Sequence, residues 1–167
     1  MLTKNWYAVW ESHRAQQVIS NSLININGET KNSGCYDPYG IRCLCFSLSN
    51  VVFDNISCGI VLGSGTTPAT INDYCLESRI TSNLTCSTTI TKNENNDRVL
   101  IITATNSGNS DIVIGEVGYH GSAPVSAQSS SSTAVLIERT VLDSPITIAP
   151  GGVGQIIYTI KMNCQAT

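Results

Sequence analysis

The chain has 167 residues, of which 41% are hydrophobic and 13% charged, with a formal net charge of −3. This length suits one domain with a buried core, and the small acidic excess without any Lys/Arg run argues against nucleic-acid binding. No apolar run approaches the ~20 residues of a membrane span, and the N-terminus has no apolar signal segment, so we expect neither membrane insertion nor export. The few charges leave a surface rich in Ser, Thr and Asn. Such a surface costs little to desolvate and favours packing against other copies or other proteins, with an ordinary β-protein surface as the plainer alternative.

The first residues predict a short helix. Apolar and aromatic residues recur there at helical spacing, and Thr3 or Asn5 is available as an N-cap; the recurring residues are Leu2, Trp6, Val9, Trp10 and His13. We therefore predict a helical arm over residues 1–20 and a β-domain over residues 21–167.

Two interpretations of this helix stay open. The helix either closes one end of the domain's own core or docks onto a partner. The docking interpretation rests on Trp6, Tyr7 and Trp10, because paired aromatic side chains are preferred at the centres of protein interfaces.

From Leu23 onward the hydrophobic period changes to two. A strand ends at the tight-turn dipeptide Asn27-Gly28, and short apolar runs over residues 41–48, 51–53 and 56–62 predict buried strands. The glycine-rich stretch over residues 63–68 lacks the Gly-Lys-Ser/Thr signature of a phosphate loop and the spacing of a nucleophile elbow, so it predicts a plain connecting loop.

The C-terminal half shows the clearest strand signals. Strands are predicted over residues 80–91, 98–105, 111–119, 134–142, 146–149 and 155–162, with a polar loop over residues 126–132. Many short strands with regular turn signals predict an all-β fold, an Ig-like or jelly-roll-like antiparallel β-sandwich with a short N-terminal helix.

The seven cysteines favour reduced thiols that pack as small apolar residues. The count is odd, no export signal is present, and Cys43 and Cys45 form the one close pair, which is poorly spaced for bonding to each other. Disulfides and a metal site remain as alternatives.

The sequence supplies no pattern for catalysis. The two histidines, His13 and His120, have no neighbouring residues that suggest a triad or a metal site, and both are expected to be ordinary surface or cap residues. We therefore predict no enzyme activity, no metal and no cofactor. Glu138 and Arg139 lie in an otherwise apolar strand, so one of them is expected to point inward or across an interface, where it needs a partner. Arg139 therefore joins Trp6, Tyr7 and Trp10 as a candidate partner-binding residue.

Several short sequence segments, taken in order, resemble small structural proteins of tailed bacteriophages, of the kind found in tail, fibre or head-associated positions. They are residues 60–68 (IVLGSGTTP), 73–77 (DYCLE), 106–109 (NSGN), 114–118 (IGEVG), 136–142 (LIERTVL), 148–152 (IAPGG) and 158–160 (YTI). The resemblance spans roughly residues 56–162 and leaves out the stretch between Cys35 and Cys58.

The resemblance implies a virion component that is assembled in the host bacterial cytoplasm and acts by oligomerisation. Its partners would be other copies of itself and other virion proteins of the tail, portal adaptor or capsid. Within this class we favour a tail- or fibre-associated role over capsid decoration or a head fibre. The rival function is a receptor- or carbohydrate-binding module, whose aromatic platform would use Tyr36, Tyr39, Tyr74 or Tyr119.

Overall fold

A computed structural model describes residues 1–15, 17–34, 59–94, 98–126 and 132–160. Within these ranges lie one helix and eight strands, in the order α1 (Lys4–Ala15), β1 (Ile19–Ile24), β2 (Thr30–Ser33), β3 (Gly59–Gly63), β4 (Leu84–Lys92), β5 (Arg98–Asn106), β6 (Ile112–Pro124), β7 (Ser132–Ile148) and β8 (Val153–Ile160). The predicted all-β class with a short N-terminal helix is confirmed.

Six of the strands form two antiparallel sheets. The first sheet has the order β3-β6-β7 and the second sheet the order β4-β5-β8, while β1 and β2 form a separate hairpin. Apolar side chains of the two sheets share one buried core, which includes Ile60, Val117 and Ile137 of the first sheet and Leu100, Ile102 and Ile156 of the second. The chain is thus a β-sandwich, as its alternating strands predict.

Strand periodicity explains the second sheet directly. Along β5, Leu100, Ile102 and Ala104 are fully buried, whereas the intervening Ile101 and Thr103 are only partly buried on the opposite face. Because side chains alternate across a strand, one face of β5 joins the core and the other points away from it.

Strand β6 departs from this alternation because both of its faces are covered. It lies between β3 and β7, and every residue from Ile114 to Gly121 is buried. The core covers one face. Residues 64–79, the connection that follows β3, cover the other, where Leu76 packs with Val61 and Leu136. We call residues 64–79 the strap.

The helix packs into the same core through small side chains. Its buried residues, Asn5, Ala8, Val9 and Ser12, follow the i, i+3, i+4, i+7 spacing of one helix face. Thr3 does not cap the helix through its side chain; its hydroxyl donates to the Leu136 and Ile137 carbonyls of β7. The predicted Trp-bearing stripe is therefore only partly buried: Val9 is buried and Trp6 half-buried against the core, whereas Trp10 is 56% exposed.

The β1–β2 hairpin confirms the predicted Asn27-Gly28 turn. Gly28 adopts a φ of +81°, a backbone conformation that favours glycine. Strand β1 begins at Ile19, ahead of the predicted start of the β-region, and its register shifts between Ile19 and Leu23. Asn21 lies within this bulge and also has a positive φ, of 52°.

The C-terminal strands follow the prediction with one correction. The two strands predicted at 134–142 and 146–149 are one strand, β7, because the Asp143-Ser144-Pro145 turn signal is a bulge. Ile114 pairs with Ile146 and Glu116 with Val141, so the extra residues lie on β7. A bulge accommodates Pro145, which has no amide hydrogen for the ladder. The predicted strands over 41–48 and 51–53, and most of the polar loop over 126–132, lie outside the described residues.

The two faces of α1 predict opposite responses to truncation. Val9→Ala removes a buried side chain, so we expect the free energy of unfolding to fall by about 2 kcal/mol. Trp10→Ala removes an exposed side chain and its ring stacking, so the loss should stay below about 1 kcal/mol. Urea unfolding of the two variants measures both values. A larger loss for Trp10→Ala than for Val9→Ala would contradict the observed orientation of the helix.

Candidate functional site

The three aromatic residues predicted to bind a partner lie on the outer side of α1. Tyr7 is 52% and Trp10 is 56% exposed, and Trp6 is half-buried against the core. The rings of Trp6 and Trp10 stack, with 6.3 Å between their centroids and 22° between their planes. The stacked pair thus offers a rigid aromatic surface beside the sheet, and its use by a partner stays a prediction.

Arg139, the fourth predicted residue, lies inside the protein. Its side chain is 4% exposed, and its three guanidinium nitrogens all contact acceptors of the same chain. Nε donates to Glu116 at 2.6 Å, Nη1 to Asp73 at 2.8 Å, and Nη2 to the Thr67 carbonyl at 3.1 Å and to Glu77 at 3.5 Å. Of the two predicted orientations, inward or across an interface, the structure shows the inward one.

Glu116 is the buried counterpart of Arg139. Its side chain is fully buried on β6, and besides Arg139 it accepts hydrogen bonds from three strap amides, those of Gly65, Glu77 and Ser78. One carboxylate therefore holds both ends of the strap against the first sheet. Four donors to one buried carboxylate compensate for its loss of hydration.

Two glycines make room for this carboxylate. A Cβ atom at Gly63 would collide with Oε1 of Glu116, and one at Gly65 would lie 2.6 Å from the same atom. No side chain fits there while Glu116 keeps its position. The glycine-rich stretch thus serves close packing around a buried charge.

The other carboxylates of the cluster organise the strap itself. Asp73 accepts hydrogen bonds from the amide and the hydroxyl of Thr70, and Glu77 accepts from the amides of Thr66 and Thr67 and from the Thr67 hydroxyl. The amides of Gly65, Thr66 and Thr67, which could otherwise bind a phosphate, already donate to carboxylates of the chain.

These contacts shift the ionisation of the cluster. Burial opposes the charge of Asp73, but hydrogen bonds from Thr70 and Arg139 outweigh it and lower its pKa below the ordinary 3.8. The Thr67 hydroxyl and amide lower the pKa of Glu77 in the same direction. Burial, with the negative charges of Asp73 and Glu116, raises the pKa of the Cys75 thiol, which disfavours a nucleophilic thiolate.

The described residues supply little chemistry beyond this network. They hold no group of three or more His, Cys, Asp or Glu side chains arranged for a metal ion. Cys75 and Cys86 are not in disulfides, and the remaining cysteines lie outside the described ranges. His120, expected at the surface, is instead 2% exposed because β6 is covered on both faces; the side chain of His13 lies outside the described residues.

The outer face of the second sheet is exposed and uncharged. Ile157 is 67% and Val153 is 64% exposed on β8, and hydroxyl, amide or apolar side chains fill the cross-strand rows. These rows are Thr85, Thr105 and Val153; Ser87, Thr103 and Gln155; Thr89, Ile101 and Ile157; and Thr91, Val99 and Thr159. We call them the uncharged face. The sequence predicted a low-charge surface but did not indicate that it concentrates here.

Of the four tyrosines predicted for a sugar-binding platform, the structure describes two, and these two differ in exposure. Tyr119 is buried in the core at 2% exposure and is thereby removed from a surface platform. Tyr74 is 39% exposed on the strap, and Tyr36 and Tyr39 lie outside the described residues.

Comparison of the chain with protein-family models, with curated proteins and with solved structures finds no match. Among the described residues, no helix has the length and apolarity needed to cross a membrane.

The buried ionic cluster predicts that the loss of Arg139, its guanidinium, strongly destabilises the fold. Arg139→Met leaves Glu116 buried without its main partner, so we expect the free energy of unfolding to fall by about 3 kcal/mol or more. Lys31→Met is the matched control, because Lys31 forms an exposed ion pair with Glu29 at 3.0 Å and its loss should cost less than about 1 kcal/mol. Equal losses in urea unfolding would contradict a structural role for the cluster.

The lowered pKa of Asp73 predicts a specific dependence of stability on pH. A carboxyl whose folded pKa lies below its unfolded pKa stabilises the fold above the unfolded value, and this contribution is lost as pH falls through the folded value. The stability difference between the wild type and Asp73→Asn should therefore be constant above about pH 5 and shrink below pH 3.8. Urea unfolding at stepped pH measures this difference, and a difference that does not change with pH would contradict it.

Proposed function

We propose that this protein is a structural component of a bacteriophage virion that acts by oligomerisation and protein–protein packing. The observation that carries the proposal is the uncharged face of the second sheet. Three strands present β-branched, hydroxyl and amide side chains there without a single Asp, Glu, Lys or Arg, and two of its apolar residues are about two-thirds exposed.

A face of this composition suits burial against another protein surface. Burying this face removes no charged group from water, so no desolvation penalty for a charge arises. Burial of the exposed Ile157 and Val153 contributes favourable hydrophobic free energy. The face is also compatible with itself, because two copies that meet across a two-fold axis oppose no like charges. A second copy is therefore the partner that we propose for this face.

The ionic cluster, which lies between the first sheet and the strap, also supports a structural role. Its guanidinium and carboxylates engage one another and the strap backbone, and the thiol beside them has a raised pKa. These groups stabilise the fold rather than present an activated nucleophile or base. The sequence resemblance supplies the virion context, with a tail- or fibre-associated position favoured and capsid decoration or a head fibre as the alternative.

The stacked tryptophans of α1 supply a second contact surface. Trp10 and Tyr7 are exposed on α1, whereas the uncharged face is formed by β4, β5 and β8. We propose that this aromatic surface binds a neighbouring virion protein, because aromatic side chains of low conformational freedom are effective interface residues.

Charge placed on the uncharged face should prevent self-association. Ile157→Lys places an ammonium at the most exposed apolar residue of the proposed contact, so the concentration-dependent dimer of the wild type should become monomer at the same concentration. Val113→Lys is the matched control, because Val113 is a 41% exposed β-branched residue of the first sheet and its variant should associate as the wild type does. Sedimentation velocity across a dilution series measures all three proteins.

Two results would contradict the proposal. A wild-type protein that stays monomeric at all concentrations would refute self-association through this face, as would equal association of the Ile157→Lys variant. Mass spectrometry of density-purified phage particles tests the virion role independently, and particles without peptides of this chain would refute that role.

A further inference from the structure

The strap, the start of α1 and the β1 bulge line a groove that the packing role does not use. Two adjoining depressions, of about 320 and 190 Å³, share Asn72, Asp73 and Tyr74 as lining residues. Lys4 and Asn21 line the smaller depression, and Glu77 and Arg139 the larger. We call the two depressions together the Tyr74 groove.

The aromatic ring in this groove is held in place. An ideal Cβ at Gly28 would lie 3.4 Å from Cε2 of Tyr74, so the ring rests against the backbone of the β1–β2 turn. The strap backbone around Tyr74 is also fastened, by the Thr70–Asp73 hydrogen bonds and by the Lys4 amide donating to the Ile71 carbonyl at 2.8 Å. Tyr74 therefore remains 39% exposed with little conformational freedom left to lose on binding.

Several polar side chains of the groove have unused hydrogen-bonding capacity. Among the described residues, the side-chain amides of Asn21 and Asn72 and the ammonium of Lys4 make no hydrogen bond or ion pair, and all three residues are exposed. Each amide offers a donor and an acceptor on one plane, which matches neighbouring hydroxyl groups of a sugar.

The charged residues around the groove supply no excess of positive charge. Lys4 and Arg139 contribute two positive charges, and Asp73 and Glu77 contribute two negative ones. Arg139 and Asp73 already pair with each other at 2.8 Å. Because Arg139 also pairs with the buried Glu116 at 2.6 Å, the groove has no excess positive charge for an anionic ligand. A fully apolar ligand would leave the amides of Asn21 and Asn72 without hydrogen-bonding partners.

We propose that the Tyr74 groove binds a neutral saccharide, with one sugar ring stacked on Tyr74 and its hydroxyl groups hydrogen-bonded by Asn21 and Asn72. An aromatic face takes the apolar side of a sugar ring, and planar amides take its hydroxyls, so both groups are used by one ligand class. This activity goes beyond the packing role and uses none of the residues of the uncharged face.

The test begins with an immobilised panel of neutral oligosaccharides built from glucose, galactose, mannose or N-acetylglucosamine, beside sialylated oligosaccharides and short peptides. The full chain should bind members of the neutral set most strongly. Calorimetric titration of the best neutral oligosaccharide should then show a loss of about tenfold or more for Tyr74→Ala and a change within about threefold for Tyr74→Phe, which keeps the ring.

Matched variants keep the test decisive. Val113→Ala, at an exposed residue of the first sheet that lines neither depression, should bind as the wild type does, and Asn72→Ala should lose affinity by about threefold or more even if Tyr74→Ala does not fold. The proposal is overturned if no neutral oligosaccharide binds, if sialylated sugars or peptides dominate, or if both Tyr74→Ala and Asn72→Ala bind within threefold of the wild type. Oligomeric state does not enter this readout, so its failure is distinguishable from failure of the packing role.

Discussion

A single buried positive charge organises the side of the first sheet that faces away from the core. Removing a guanidinium from water costs several kcal/mol unless hydrogen bonds and opposite charges replace its hydration. Arg139 meets this requirement with Glu116 from β6 and with Asp73, Glu77 and the Thr67 carbonyl from the strap. The strap must therefore follow a course that brings these acceptors together, and that course covers β6, buries Leu76 and exposes Tyr74.

Periodicity alone predicts the strands that have one buried face. The pattern of β5 and β8 is clear because each turns one face to the core and the other outward. It fails where a second constraint acts. Strand β6 is covered on both sides, and α1 buries small residues such as Ala8 and Ser12 while Trp10 stays exposed. Close approach of a helix to a sheet favours small side chains, which a search for large apolar residues does not detect.

The ionic cluster was predictable only in part. Arg139 stands out in an apolar strand, and so does Glu116, but no local pattern links them to Asp73 and Glu77, which lie far away in the sequence. The tertiary fold brings them together, although Glu116 and Arg139 are 23 positions apart in the sequence and Asp73 and Arg139 are 66 positions apart. The glycines at 63 and 65 carry the remaining signal, since their lack of a side chain is what Glu116 requires.

The uncharged face also sets how the proposed assembly responds to its surroundings. A contact made of apolar and hydroxyl groups depends on the release of water, so cooling weakens it and excluded salts such as sulfate strengthen it. Ordinary ionic screening has little to act on there, because the face carries no charge. The two sides of one small sandwich thus respond to different solution conditions, with pH acting on the strap and temperature on the proposed contact between copies.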